Sequence, residues 1–124
     1  MSVTNDFLAQ TVYQQHFPPK AGTDYGDKFE PFVYQICRPY IVCEDGFKFS
    51  VQASATHYCY PRENFRFEYE SVEVGFPNRR EPLLAYYAEN PKRLTLTVYG
   101  WVPVDVVDAV IEKHGGIKYW KWNR

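Results

Sequence analysis

The stretch from Tyr40 to Ser54 limits what this chain can fold into more than any other. Ile41 and Val42 are followed by Glu44-Asp45-Gly46, and then Phe47, Phe49, Val51 and Ala53 occupy every second position, with Lys48, Ser50, Gln52 and Ser54 between them. An Asp-Gly pair supplies the backbone freedom that a tight connection between two strands demands. Strict alternation puts one face of the second strand in a core and the other toward water. The stretch therefore predicts an antiparallel hairpin. Its apolar face has to be covered, and helices are the usual cover.

Candidate covering elements lie on both sides. Asn5 or Asp6 can cap a helix over Asp6 to Phe17, with Leu8, Val12 and Phe17 at near-helical spacing and Pro18-Pro19 as its end. Pro103 suits a first helical position. Asp105 follows in the first turn, Val106, Val107, Val110 and Ile111 form a stripe, and His114 with Gly115-Gly116 closes a second helix. Asn78 and Glu81 resemble a capping box for a short third helix with Leu83, Leu84 and Tyr87 on its apolar side, ended by Asn90-Pro91.

Further strands are predicted over Phe32 to Cys43 with a break at Pro39, over Tyr69 to Phe76, over Leu94 to Val102, and over Ile117 to Trp122. In the third of these, Leu94, Leu96 and Val98 share one face, and Thr95, Thr97, Tyr99 and Trp101 the other. Lys20 to Pro31 reads as a loop. This order lacks the regular alternation of a doubly wound sheet. The expectation is one α+β domain over residues 1–124, an antiparallel sheet of four to five strands with two to three helices packed on one face.

Composition narrows the function. The 11 Tyr, 9 Phe and 3 Trp make 19% of 124 residues, enough for an aromatic core with some rings left for recognition. A net charge of -1 creates no field to gather the phosphates of duplex DNA. No apolar run approaches the roughly 18 residues a membrane-spanning helix needs, and the first residues lack a cleavable leader pattern, so a cytoplasmic protein without membrane partners is expected. Cys37, Cys43 and Cys59 are then reduced thiols rather than a disulfide framework.

Chemistry-bearing motifs are sparse. His57 and Cys59, two positions apart, offer two metal ligands or a thiol with an imidazole neighbour; two ligands do not make a site, and His16 and His114 are distant in sequence. Glu68, Glu70 and Glu73 read as solvated carboxylates of a strand and its approach, and His114 as a cation at a helix C-terminus. No catalytic, metal or cofactor site is assigned. Two segments interleave basic and aromatic residues, Tyr58 to Phe67 and Lys118 to Arg124, a pattern that serves protein hot spots or single-stranded nucleic acid. The candidate binding residues are Tyr58, Tyr60, Arg62, Arg66, Arg79, Arg80, Tyr119, Trp122 and Arg124.

The runs His57-Tyr58-Cys59, Val72 to Pro77, Glu81 to Leu84, Tyr87 to Glu89, Thr97 to Pro103 and Ile111 to Gly116 resemble small uncharacterised proteins of phages and prophages. The resemblance covers about half the chain and carries no catalytic residue with it. It implies a small protein that binds and blocks a host protein, in the manner of anti-CRISPR and other counter-defence inhibitors, with a CRISPR effector or another defence component as partner. The alternative is a binder of single-stranded nucleic acid or a nucleotide. A homodimer is left open.

Overall fold

The Asp-Gly turn forms as its residues dictate. Gly46 takes φ +90° and donates its N–H to the Cys43 carbonyl at 3.0 Å, and the Cys43 N–H reaches the Phe47 carbonyl at 2.8 Å. In the computed structural model, which describes residues 2–11, 15–17, 35–64, 66 and 68–122, this turn joins two strands of an antiparallel sheet. In chain order the elements are α1 (Val3–Gln10), β1 (Gln15–Phe17), β2 (Gln35–Cys37), β3 (Tyr40–Cys43), β4 (Lys48–Gln52), β5 (Ser71–Gly75), a 3-10 turn (Ala85–Tyr87), β6 (Val98–Pro103), α2 (Val104–Lys113) and β7 (Ile117–Lys121). The loop predicted over 20–31, together with Val12, Phe65, Phe67 and Arg124, lies outside the described residues.

The main sheet has five strands in the order β6-β5-β4-β3-β7, every neighbouring pair antiparallel. Directly paired residues share a face. Ile41 opposes both Phe49 and Trp120, Val51 opposes Val74, and Val72 opposes Val102, so one face is a continuous apolar layer. The other face carries Ser50, Gln52 and Glu73. Phe7 and Leu8 of α1 and Val107, Val110 and Ile111 of α2 complete the core over the apolar face. Each such fully buried side chain adds about 1.5–3 kcal/mol of transfer free energy. The α+β arrangement is thus the predicted one. Among the described residues no helix is long and apolar enough to cross a membrane.

Element boundaries shift where local hydrogen bonding overrides the pattern. The first helix does not run from Asp6 to Phe17: Ser2 is its cap, its Oγ accepting from the Asn5 N–H at 3.0 Å, and Thr11 ends it by donating its hydroxyl to the Phe7 carbonyl at 2.7 Å. Gln15 to Phe17 instead pairs with β2 in a separate two-stranded sheet. Asn5, released from capping, brackets Tyr69 by accepting its N–H at 2.8 Å and donating to its carbonyl at 3.2 Å. Asp108 of α2 accepts from the Thr4 N–H and the Ser2 hydroxyl, both at 2.9 Å, and joins the two helices.

The predicted third helix is only the 3-10 turn Ala85–Tyr87. Asn78 does not cap it, because its side chain accepts from the Lys48 N–H and donates to the Gly46 carbonyl, spending its polar groups on the hairpin. Pro103 is the residue before α2 rather than its first. The strand expected from Leu94 begins only at Val98.

Candidate functional site

β6 is an edge strand, and its register against β5 slips once. Tyr99 opposes Val74 and Val102 opposes Val72, so Gly100 and Trp101 together face the single residue Glu73. This is a β-bulge. It lets Tyr99 and Val102 both point into the core, which alternation alone forbids, and turns Trp101 outward, 51% exposed. The face predicted to hold Tyr99 and Trp101 together is therefore split. Trp101 adopts φ +49°, a left-handed conformation that costs a bulky residue about 1–2 kcal/mol.

The bulge is braced by the chain around Tyr58. The Trp101 N–H donates to the Tyr58 carbonyl at 3.0 Å, and the two rings stack with centroids 5.0 Å apart and planes 22° from parallel. Tyr58 donates its own N–H to Glu73 Oε1 at 2.9 Å. Gly100 packs against Tyr58, where a Cβ would sit at ordinary contact distance, 3.4 Å from the Tyr58 Cβ. The Arg62 guanidinium carbon lies 5.7 Å from the centroid of the Tyr58 ring.

The 3-10 turn extends this surface. Ala88 bridges to Tyr99 and the Glu89 N–H donates to the Val98 carbonyl at 2.9 Å, so the segment runs along the outer edge of β6. A pocket of about 370 Å³ lies between Tyr58, Tyr87, Glu89, Gly100 and Trp101. Tyr86 packs edge-on against Tyr87 with centroids 5.0 Å apart and is itself 90% exposed. Exposed rings from three segments thus meet at one edge of the sheet, where single exposed apolar residues would need no explanation but a contiguous group does.

Of the candidates read from the sequence, Tyr58 and Arg62 come together here, whereas Tyr60 lines a separate concavity with Glu63, Arg66 and Tyr69. Arg66 instead approaches Glu63 at 3.9 Å, and Arg79 pairs with Asp45 at 3.0 Å while lying over the Phe47 ring. Arg80 is exposed. Tyr119 sits on β7 and Trp122 just beyond it, at the opposite edge of the sheet from β6. Trp101, Tyr86, Tyr87 and Glu89 were missed by the sequence reading. Gly100 ahead of an aromatic in a β-rich run is the one signal that pointed to a bulge.

A second concavity of about 530 Å³ crosses the polar face of the sheet, lined in part by Ser50, Gln52, His57 and Glu73. Its polar groups serve the fold. Gln52 accepts the Arg38 N–H at 2.8 Å and donates to the Arg38 carbonyl at 2.9 Å, His57 Nδ1 and Ser54 Oγ share a hydrogen bond of 2.6 Å, and Glu73 holds Tyr58. Arg38 is itself buried, its guanidinium donating to the carbonyls of Ala53 at 2.5 Å and Leu8 at 3.3 Å.

The His57–Cys59 pair is not a nucleophile with its base. Cys59 Sγ donates to the Ser54 carbonyl at 3.1 Å, and burial raises its thiol above the ordinary range. Burial, helped by the charges of Arg38 and Arg62, lowers His57 to about 4, so its ring is neutral at neutral pH. Burial likewise raises Cys37, and raises Cys43 to about 11 with the Asp45 carboxylate adding to it. A reactive cysteine needs the opposite shift.

The other titratable cluster is internal. His114 shares a hydrogen bond through Nδ1 with Asp45 Oδ2 at 2.6 Å and through Nε2 with Glu81 Oε1 at 2.7 Å, while Lys113 Nζ reaches Glu81 Oε2 at 3.0 Å. The Phe47 ring stacks on the imidazole at 4.2 Å. This network ties the end of α2 to the hairpin turn and the start of the 3-10 segment. Comparison with family models, curated proteins and solved structures finds no match to this chain.

Proposed function

We propose that this chain works by binding another protein through the aromatic edge built on Tyr58, Tyr86, Tyr87 and Trp101. The observation that carries the reading is the left-handed Trp101. The bulge that buries Tyr99 and Val102 also leaves an indole half exposed and stacked on a second exposed ring, an arrangement that burial of those two residues does not itself require. Tyr and Trp supply large, rigid contact area and dominate protein interfaces. The resemblance to phage and prophage proteins makes host defence components, CRISPR effectors among them, the first partners to test, with this chain as a stoichiometric inhibitor.

Single-stranded nucleic acid is the less favoured occupant. Glu73 and Glu89 flank the stack, and their charges oppose the phosphates that Arg62 would attract. Purified protein mixed with candidate defence complexes should co-elute with its target, and Trp101→Ala should release it without lowering the melting temperature by more than a few degrees. Failure to bind any defence complex of the host overturns the inhibitor reading. Retention of an oligonucleotide on a filter at low salt, lost in Trp101→Ala, would establish the nucleic-acid alternative instead.

A further inference from the structure

The pocket beside Trp101 has a chemistry of its own. Its walls are the rings of Tyr58, Tyr87 and Trp101, and the one charged group among them is the carboxylate of Glu89, an exposed residue with no ion pair among the described residues. Gly100 forms the floor without a side chain. Faces of aromatic rings attract cations through their quadrupoles, and a carboxylate at the rim adds direct attraction. The protein already makes such a contact, with Arg62 over Tyr58.

We propose that this pocket receives an arginine side chain presented by the partner protein. The assignment rests on the aromatic edge being a protein-binding surface and specifies what that surface reads. Arginine fits better than lysine for a geometric reason. A planar guanidinium can lie flat on the indole while its N–H fork meets the Glu89 carboxylate, whereas an ammonium is a compact, strongly hydrated charge that gives up more water on entry. A partner segment is a better source than a free small molecule, because the exposed ring of Tyr86, packed on Tyr87, continues the surface beyond the pocket and gives a neighbouring partner residue somewhere to rest.

The test uses the full chain and a short capped peptide, glycine-arginine-glycine, titrated to millimolar concentration while the indole N–H signals are followed by NMR. The Trp101 indole, identified by its loss in Trp101→Phe, should shift and saturate. The same peptide with citrulline, which keeps the shape and loses the charge, should bind about tenfold or more weakly, and Glu89→Gln should weaken the arginine peptide to a similar degree, roughly 1.4 kcal/mol. Lysine should fall between. No shift with the arginine peptide, or equal shifts with citrulline, overturns the assignment. A protein partner that depends on Trp101 but binds Glu89→Gln and wild type equally would leave the docking surface standing and remove the arginine from it.

Discussion

His114 and Glu81 are joined by a 2.7 Å hydrogen bond between Nε2 and Oε1, although 33 residues separate them along the chain. Asp45 Oδ2 takes the other ring nitrogen at 2.6 Å. Burial alone would raise Glu81, but the Leu83 N–H, His114 and Lys113 together outweigh it and hold the carboxyl below its usual range. His114, the Phe47 N–H and Arg79 lower Asp45 as well.

Glu81→Gln should therefore destabilise the fold by about 2–3 kcal/mol, since the near-buried His114 and Lys113 then share a neutral partner. Carboxylates with lowered folded-state pKa values stabilise above the ordinary range near pH 4 and lose that contribution as pH falls through the folded values. Urea titrations should show wild-type stability dropping below about pH 4, and a shallower drop in Glu81→Gln. Parallel acid limbs in the two proteins would contradict the network.

His57 acts over a different window. Its folded pKa of about 4 lies below the ordinary 6.5, so the unfolded chain takes up the proton first. Stability should decline as pH falls from about 6.5 to about 4, by an amount on the order of 3 kcal/mol at most. His57→Gln, which cannot titrate, should flatten this limb and leave the one below pH 4 in place.

Trp101 separates side chain from backbone. Trp101→Ala removes the ring but keeps a Cβ in the left-handed region, whereas Trp101→Gly removes both, so the glycine variant should be the more stable by about 1 kcal/mol. Both should lose partner binding. Equal melting temperatures for the two variants would mean that the bulge carries no backbone cost.

The three thiols give a chemical check. Above-ordinary pKa values predict that each reacts with a disulfide reagent at pH 8 more slowly than free cysteine, and Cys43, at about 11, slowest of all. One fast thiol at neutral pH would reopen the nucleophile reading.

The hairpin, the β5 alternation and α2 were legible in the sequence because periodicity and turn chemistry agree there. Phe47, Phe49, Val51 and Ala53 are all buried, as their spacing requires. What was not legible depends on partners distant in sequence. Ser2 caps α1 where the sequence pointed to Asn5 or Asp6, and Asn5 instead holds Tyr69. Leu94 and Leu96 read as strand, yet the ladder starts at Val98 and Leu96 is exposed. The candidate site is the clearest case, since a bulge reverses the facing of Trp101 and no period can announce it. Tyr58 and Arg62 stood out by composition, while Trp101 and Glu89 became neighbours of Tyr58 only through the fold.

The C-terminal strand offers the last test. Extended geometry places Trp120 and Trp122 on one side, but the structure separates their surroundings. Trp120 opposes Ile41, packs against the core, and meets Phe7 edge-on with centroids 5.4 Å apart. Trp122 follows the strand at a bend, 44% exposed, and lines the concavity on the polar face. Trp120→Ala should cost about 3 kcal/mol, near the lower end for emptying an aromatic site because the ring is only partly buried. Trp122→Ala should stay within about 1 kcal/mol of wild type. Because Phe7 lies on α1, removing both rings also measures how far that helix depends on β7. A cycle of Phe7→Leu and Trp120→Leu should give a coupling of about 0.5–1.5 kcal/mol, the usual worth of an edge-on aromatic pair beyond its buried area. Additive losses would show that the edge-on contact adds nothing beyond the area the two rings bury, and equal losses in the two alanine variants would place both indoles in the core.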